Sequence, residues 1–517
     1  MKREHNKLKF YSLLMLFTVL LYSCTDLNIE GSDSIISETT GGGFTGVADP
    51  ASSIGDLYNS FYSNLESQEN LNAMNVVTTD EQLIPTRGAD WGDNGIWRQL
   101  HTHSWTPAHL FILRTWNDWN QNAFRASEII ETSSTTAAEA AEAKWQRALS
   151  MYHIMDVFGV VPFRGVDEGP EVDPKVLTRT EALDFILADL NDAIAGLPSR
   201  AAGAEAYTAS KEVAKFLLAK VLLNKHIYNG SGSADNADML QVMTLVDEIA
   251  AQGFALEAGY FDLFATAPDS ESIWTIKSSI GNRIWNGMHY KMTAPDQSGG
   301  WNGFSTLAEF YDLFEGDANT NYVGDGQEER RGWVPDAGNA DNTTNFGIGF
   351  GFLIGQQYDE TGAPLTDRQG NPLTLKKQFP DIVGNDETTG IRIIKYHPVN
   401  GAFNQHQIAF RYSDAHLMKA EALWRSGGDP TVLVNELRTL RGAQPITSVT
   451  EQDLIDERGR ELYIEQWRRN DLIRFGQYTK DWEFKNPAAV GDETKNLMPI
   501  PASALLSNPN LVQNPGY

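Results

Sequence analysis

Along residues 137–159, "AAEAAEAKWQRALSMYHIMDVFG", the apolar positions Ala141, Trp145, Ala148, Leu149, Tyr152 and Met155 recur three and four apart. That spacing lines one face of an α-helix, and Gly159 with Pro162 ends it. Residues 178–198 repeat the pattern through Phe185, Ile186, Leu190 and Ile194. Thr178 and Glu181 stand at capping-box spacing at its start, and Pro198 closes it. Residues 210–230 are apolar on more than one side (Val213, Phe216, Leu217, Val221), which predicts a helix held between others.

Helical spacing returns near the C-terminus. One helix is predicted from Ser413 to Ser426, stopped by Gly427, Gly428 and Pro430, and a second follows at once over residues 431–442. Residues 451–476 read as one long charged helix. Consecutive amphipathic pairs with small contact residues such as Ala420 and Ala422 predict a mainly α fold of tetratricopeptide-like helix pairs, an α-solenoid scaffold. Residues 255–405 break the pattern with Gly, Asn, Asp, Pro and aromatics. Short apolar pieces there, "ESIWTIKSS" and "IRIIKYHP", predict strands within a large loop-rich insertion. So long an irregular stretch in a compact chain carries function on its loops.

The first residues follow another logic. Lys2, Arg3, Lys7 and Lys9 face a single Glu4, and an apolar run, "FYSLLMLFTVLLYS", fills residues 10–23. A basic start and a short apolar run make a secretory signal, too short to span a bilayer. It ends at Cys24, the only cysteine of 517 residues, in a setting that resembles a bacterial lipoprotein box. Cleavage before Cys24 would expose it for lipidation, and acyl chains at ~0.8 kcal/mol per buried methylene would hold the protein at a membrane. The expected organisation is a signal peptide over 1–23, a lipidated flexible tether over 24–53 and one domain over 54–517. Within that domain, helices occupy 54–254 and 406–480, the loop-rich ligand-binding region 255–405 and a tail 481–517.

Charge narrows the partners. Loss of the four basic and one acidic side chains of the leader takes the net charge from −27 to −30. Such a surface argues against nucleic acid. With no thiol beyond Cys24, packing must carry the stability.

Candidate chemistry concentrates in two aromatic loops. "PTRGADWGDNGIW", residues 85–97, sets Arg87, Asp90, Trp91 and Trp97 among glycines, and residues 282–304 bring Trp285, Tyr290 and Trp301. A pyranose ring has an apolar C–H face and a polar edge, so its site wants an exposed aromatic plane flanked by charged or amide groups. Trp91, Trp97, Trp285, Tyr290 and Trp301 are the candidate stacking planes, with Arg87 and Asp90 as hydroxyl partners. For Trp91 and Trp97 loop packing is the competing role, and Trp301 could equally staple a helix entry. Trp105, Trp116 and Trp119 adjoin a helical pattern and read as core.

Other chemistries find weaker support. A glycoside hydrolase needs two carboxylates about 5 Å or about 6.5–9.5 Å apart, and Asp80, Glu81, Asp90 and Asp93 are near enough in sequence to supply them. Glu457, Glu461 and Glu465 recur every four residues beside Arg458, Arg460, Arg468 and Arg469, which reads as a salt-bridge network rather than a catalytic row. His101, His103 and His109 lack the ligand spacing of a zinc site. No cofactor or metal is expected. Calcium is the one cation residues 335–345, "PDAGNADNTTN", could take, without the ordering of a specific calcium loop.

Four segments, "RYSDAHLMKAEALWRSG", "ELRTLRG", "DERGRELYIEQWRRNDLIRFG" and the ending "MPIPASALLSNPNLVQNPGY", resemble the SusD/RagB family of Bacteroidetes outer-membrane lipoproteins. "MYHIMDVFGVVPF" and "LYSC" are similar to it too. The resemblance implies paired helices supporting an irregular glycan-binding face, with a SusC-like TonB-dependent transporter as partner and a lipid-anchored place at the outer-membrane surface. It implies capture of oligosaccharides, or of peptides in the RagB-like branch, and no catalysis.

Overall fold

Helix-start chemistry recurs along the N-terminal part. Thr136 and Thr178 accept the backbone N–H of Glu139 and Glu181, whose carboxylates accept the threonine N–H in return. Asp49 caps a helix inside the stretch expected to be tether, its carboxylate accepting from Ala51 and Ser52. The computed structural model describes residues 43–265, 269–278, 287–295, 298–400 and 406–517; Cys24 and Trp285 lie outside the described residues. Gly46–Tyr517 forms one compact unit.

Helices α1 (Pro50–Glu66), α2 (Leu71–Asn75), α3 (Ile96–His101), α4 (Leu110–Ile130), α5 (Ala137–Phe158), α6 (Arg179–Gly196), α7 (Lys211–Tyr228) and α8 (Asn236–Ala250) come first. A small ladder of β1 (Val161–Phe163) and β2 (Lys175–Leu177) joins α5 to α6. From α5 to α8 each helix packs on the one before it. Helix α9 (Ala308–Tyr311) is a single turn, and α10 (Tyr412–Arg425) packs back on α8 although residues 251–411 separate them in sequence. Helices α11 (Thr431–Leu440), α12 (Glu451–Leu462), α13 (Arg468–Arg474) and α14 (Ala502–Ser507) complete the chain. The fold is mainly α, built of tetratricopeptide-like pairs. Trp105, Trp116 and Trp119 are buried in it.

The insertion leaves and re-enters through one neck. Strands β3 (Ser272–Ile276) and β9 (Gln407–Arg411) pair antiparallel, with Ser272 opposite Arg411. Trp274 of β3 is fully buried and meets Trp145 of α5 edge-on at 5.0 Å, so the neck is keyed into the scaffold core. Beyond it, β4 (Gly332–Trp333), β5 (Phe350–Leu353) and β8 (Arg392–Ile394) form an antiparallel sheet in the order β4-β5-β8, with a hairpin of β6 (Gly355–Gln356) and β7 (Thr374–Leu375) beside it.

The single helix expected over 451–476 is two helices. Ile464 and Gln466 take left-handed φ of 54° and 69° between α12 and α13, a costly conformation for a β-branched residue. The break is held from outside: the Ile464 N–H donates to the Glu81 carboxylate, and the Gln466 side-chain amide donates to the Leu65 carbonyl at 2.7 Å. It turns Glu465 toward Lys395 (2.5 Å) and Arg411 (2.8 Å). Glu457 meets Arg330, Arg438 and Arg460, and Glu461 meets Arg330, Arg411 and Arg441, at 2.6–3.3 Å. The glutamate row is thus a buried ion network, and three of its cations, Arg330, Lys395 and Arg411, belong to the insertion. Coulombic attraction from Arg330, Arg460 and Arg438 outweighs burial and holds Glu457 down at about 2.

Candidate functional site

Arg87 and Asp90 close a tight turn, each donating its N–H to the other's carbonyl at 3.0 and 2.9 Å. Gly88 takes φ +57° within it. The chain then runs through Trp91 (φ 59°), Asp93 (φ 39°) and Asn94 (φ 52°), three left-handed residues without glycine's freedom. Such a run costs energy and persists only where the surroundings fix it. Here the Trp91 indole N–H donates to the Trp301 carbonyl at 2.8 Å, and its ring meets Phe304 at 5.6 Å, Trp97 at 6.3 Å and Trp301 at 6.4 Å. Gly303 makes the approach feasible, since a Cβ there would stand 2.3 Å from the Trp91 ring.

The structure sorts the candidates. Trp301 is 55% exposed, Trp91, Asp90 and Tyr290 are partly exposed, and these four come together from two loops distant in sequence. Trp97 and Arg87 are each 3% exposed, and neither presents itself to a ligand. Trp97 lies on the inner face of α3 and packs on Phe111 at 4.7 Å, backing Trp91 from behind. The Arg87 guanidinium donates to the Asp386 carbonyl (2.9 Å) and the Ser305 hydroxyl (2.8 Å), and burial lowers it to about 9. Both are supports of the site rather than its surface.

A third loop brings residues that the sequence did not single out. Arg368 lies with its guanidinium 3.9 Å over the Tyr290 ring, donates to Asp90 at 2.7 Å and pairs with Glu387. Tyr290 donates its hydroxyl to the same Asp90 oxygen at 2.6 Å. His289 meets Glu387 at 3.1 Å, and burial with nearby Arg392 lowers it to about 4, so this contact is a hydrogen bond rather than an ion pair at neutral pH. The Tyr290 hydroxyl and then Arg368 hold Asp90 below the usual carboxylate range. Burial would raise Glu387, but the Arg368 backbone and guanidinium with His289 outweigh it and hold it low. Both rim carboxylates are therefore ionised acceptors at neutral pH.

The remaining candidates are occupied elsewhere. Asp80 pairs with Arg468 at 2.6 Å, Glu81 is buried under Ile464, and Asp93 accepts the Trp97 indole N–H at 3.2 Å. His101, His103 and His109 each meet a backbone carbonyl, of Glu483, Thr78 and Ile96. In the 335–345 loop, the Asp341 carboxylate accepts from the backbone and side chains of Thr343 and Thr344. The rim thus offers ring faces beside a fixed row of acceptors and donors, an arrangement suited to holding a polyhydroxylated ring.

Stacked helix pairs carrying a long insertion whose loops build an aromatic rim define a recognisable class of scaffold. Residues 270–517 match the SusD family. Over 492 residues the chain is 28% identical to the starch-binding protein SusD of Bacteroides thetaiotaomicron, covering 86% of this chain and 84% of that one. Among solved structures, a laminarin-binding SusD-like protein superposes with a TM-score of 0.65 at 22% identity, over 92% of this chain and 100% of the other. The surface glycan-binding protein A of Bacteroides uniformis gives a TM-score of 0.65 at 19% identity, over 90% and 98%. The match to the SusD/RagB family thus lies on the C-terminal part of the chain, residues 270–517, and the likeness to the starch-binding protein extends over most of its length.

Proposed function

We propose that this protein captures oligosaccharides on the rim formed by Trp301, Trp91, Tyr290, Asp90 and Arg368, and releases them to a SusC-like TonB-dependent transporter. In this reading it is tethered at the outer-membrane surface by the lipidated Cys24. The observation that carries it is the exposed Trp301 ring beside the Asp90–Arg368–Glu387 array. An apolar C–H face would lie on the indole while hydroxyls bond to groups already held in place. The starch-binding and laminarin-binding relatives support a glycan as the cargo. Capture rather than hydrolysis is supported by the two rim carboxylates, since neither keeps the proton a general acid would need. An open rim of this kind binds weakly, on the order of 10 μM to 1 mM, or about −4 to −7 kcal/mol.

The test is calorimetric titration of the protein with malto-, laminari- and xylogluco-oligosaccharides, beside the Trp301→Ala variant. Heat from at least one sugar, markedly reduced in the variant and without new reducing ends, is the expected result. Released product would replace capture with hydrolysis. Silence toward every sugar from folded protein would move the cargo to peptides.

A further inference from the structure

A second aromatic surface, sharing no residue with the rim, lies on the β4–β5 edge of the insertion's sheet. Trp333 and Phe350 face each other across that ladder, and their rings stack at 5.6 Å with planes 30° apart. Phe350 continues onto the buried ring of His397 at 3.9 Å and 15°, and Phe261 leans on Phe350 at 5.6 Å. Trp333, Phe350 and Phe261 form one wall of a groove of about 430 Å³, with Val323, 60% exposed, on its lip. Small-molecule clefts begin at roughly 300 Å³, so there is room for one or two sugar rings.

The polar groups of the groove select among ligands. Asp262 is exposed at its mouth, and Glu329 lies inside it with one oxygen accepting the Tyr260 N–H at 2.7 Å. Neither forms an ion pair with a lysine or arginine among the described residues, and no lysine or arginine lines the groove. The Trp333 indole N–H has no acceptor among the described residues, unlike those of Trp91, Trp97, Trp105, Trp119 and Trp274. Flat rings, carboxyl acceptors and a free N–H donor suit a neutral polyhydroxylated ring, whereas a uronate or sulfate would meet no cation in the lining.

We infer that the Trp333–Phe350 groove is a second saccharide site, specific for neutral sugars and independent of the Trp301 rim. A polysaccharide long enough to reach both sites would bind through two contacts on one chain and gain avidity without either site being tight.

The full-length protein in detergent micelles is titrated with maltoheptaose, laminarihexaose, a xyloglucan oligosaccharide, an oligogalacturonate and a lysine-rich peptide. The variants are Trp301→Ala, Trp333→Ala and Val323→Arg. Val323→Arg changes only an exposed lip residue and lays a guanidinium over the rings, so it decides the matter should Trp333→Ala fail to fold. The expected result is that a neutral oligosaccharide still binds to Trp301→Ala, and that Trp333→Ala or Val323→Arg weakens this residual binding at least tenfold. Oligogalacturonate should give no heat that these two variants remove. Unchanged titrations in both variants overturn the inference while leaving the rim intact, and so does peptide heat lost in them without sugar heat. Indifference of every sugar to Trp301→Ala, with loss in Trp333→Ala, would instead keep this site and sink the rim.

Discussion

Gly303→Ala tests the rim without replacing any residue that would meet a ligand. A methyl at Gly303 would stand 2.3 Å from the Trp91 ring, against an ordinary contact of 3.4–4 Å, so the indole must shift by about 1 Å. It cannot retreat, because Phe304 and Trp97, both buried, fill the space behind it. It must swing outward, and the 2.8 Å bond from its N–H to the Trp301 carbonyl then stretches beyond hydrogen-bond range. The backbone at Gly303 is not left-handed, so alanine adds no dihedral strain of its own. Overpacking in a sealed core costs about 1–3 kcal/mol, but this ring is partly exposed and the strain can vent to solvent. Little of the effect should therefore appear in stability. Sugar affinity should fall about five- to tenfold, or roughly 1–1.4 kcal/mol, with the melting temperature within about 3 °C of wild type. Calorimetry with the best oligosaccharide and a thermal melt of the same sample measure both. Wild-type affinity in a folded Gly303→Ala protein would refute the idea that the Trp91–Trp301 contact sets the binding surface.

Two further outcomes follow from buried charge. Glu461→Gln leaves Arg330, Arg411 and Arg441 facing a neutral amide in a fully buried setting. Removing one partner of such a network costs about 3–5 kcal/mol. At about 2.1 cal/mol/K of unfolding entropy per residue a unit this size shifts ~1 °C per kcal/mol, so the melting temperature should drop by roughly 3–5 °C; an unchanged or raised melt would mean the network contributes nothing. Glu81 concerns pH: burial raises its carboxyl from 4.5 to about 8. Between those values the folded chain holds a proton that the unfolded chain has released, so this group's stabilisation is full below 4.5 and is lost as pH rises through 8. Glu81→Gln should remove that decline, gaining on wild type by about 2–4 kcal/mol between pH 5 and pH 8.5 in denaturant titrations. Parallel pH profiles would reject it.

Helices with a clean 3.6-residue stripe were legible from the sequence. Those over 137–158, 179–196 and 211–228 begin and end within two residues of their caps and stop signals. The start of helix α1, Pro50 to Ser53, was hidden because it sits in a polar stretch next to a Gly-rich tether. The break at Ile464 was hidden because its cause, Glu81, is nearly 400 residues away. At the site, the sequence left Trp301 open between a stacking plane and a helix-entry staple, and folding leaves its ring 55% exposed. Trp97 misled because the glycines before it serve the left-handed turn into α3 rather than the display of a ring. Arg368 and Glu387 carry no local signal at all: they matter only because folding lays residues 368–387 beside Tyr290 and Asp90. Local chemistry is readable from local spacing, and a rim assembled from three distant loops is not.

The neck at β3 and β9 brings the two ends of residues 272–411 side by side. Closing a loop of this length costs little more than closing one half as long, so the scaffold sets almost no limit on how far the insertion may grow or be rewritten. What it does demand is payment in cations. Glu457, Glu461 and Glu465 draw part of their neutralisation from Arg330, Lys395 and Arg411, and an insertion lacking those three would strip Glu465 of both its cations and leave Glu457 with Arg438 and Arg460 and Glu461 with Arg441. Ligand preference can therefore drift through the rim loops while three basic positions stay put. A chimera that grafts a SusD-like relative's binding region onto these helices will fold only if the graft carries its own equivalents.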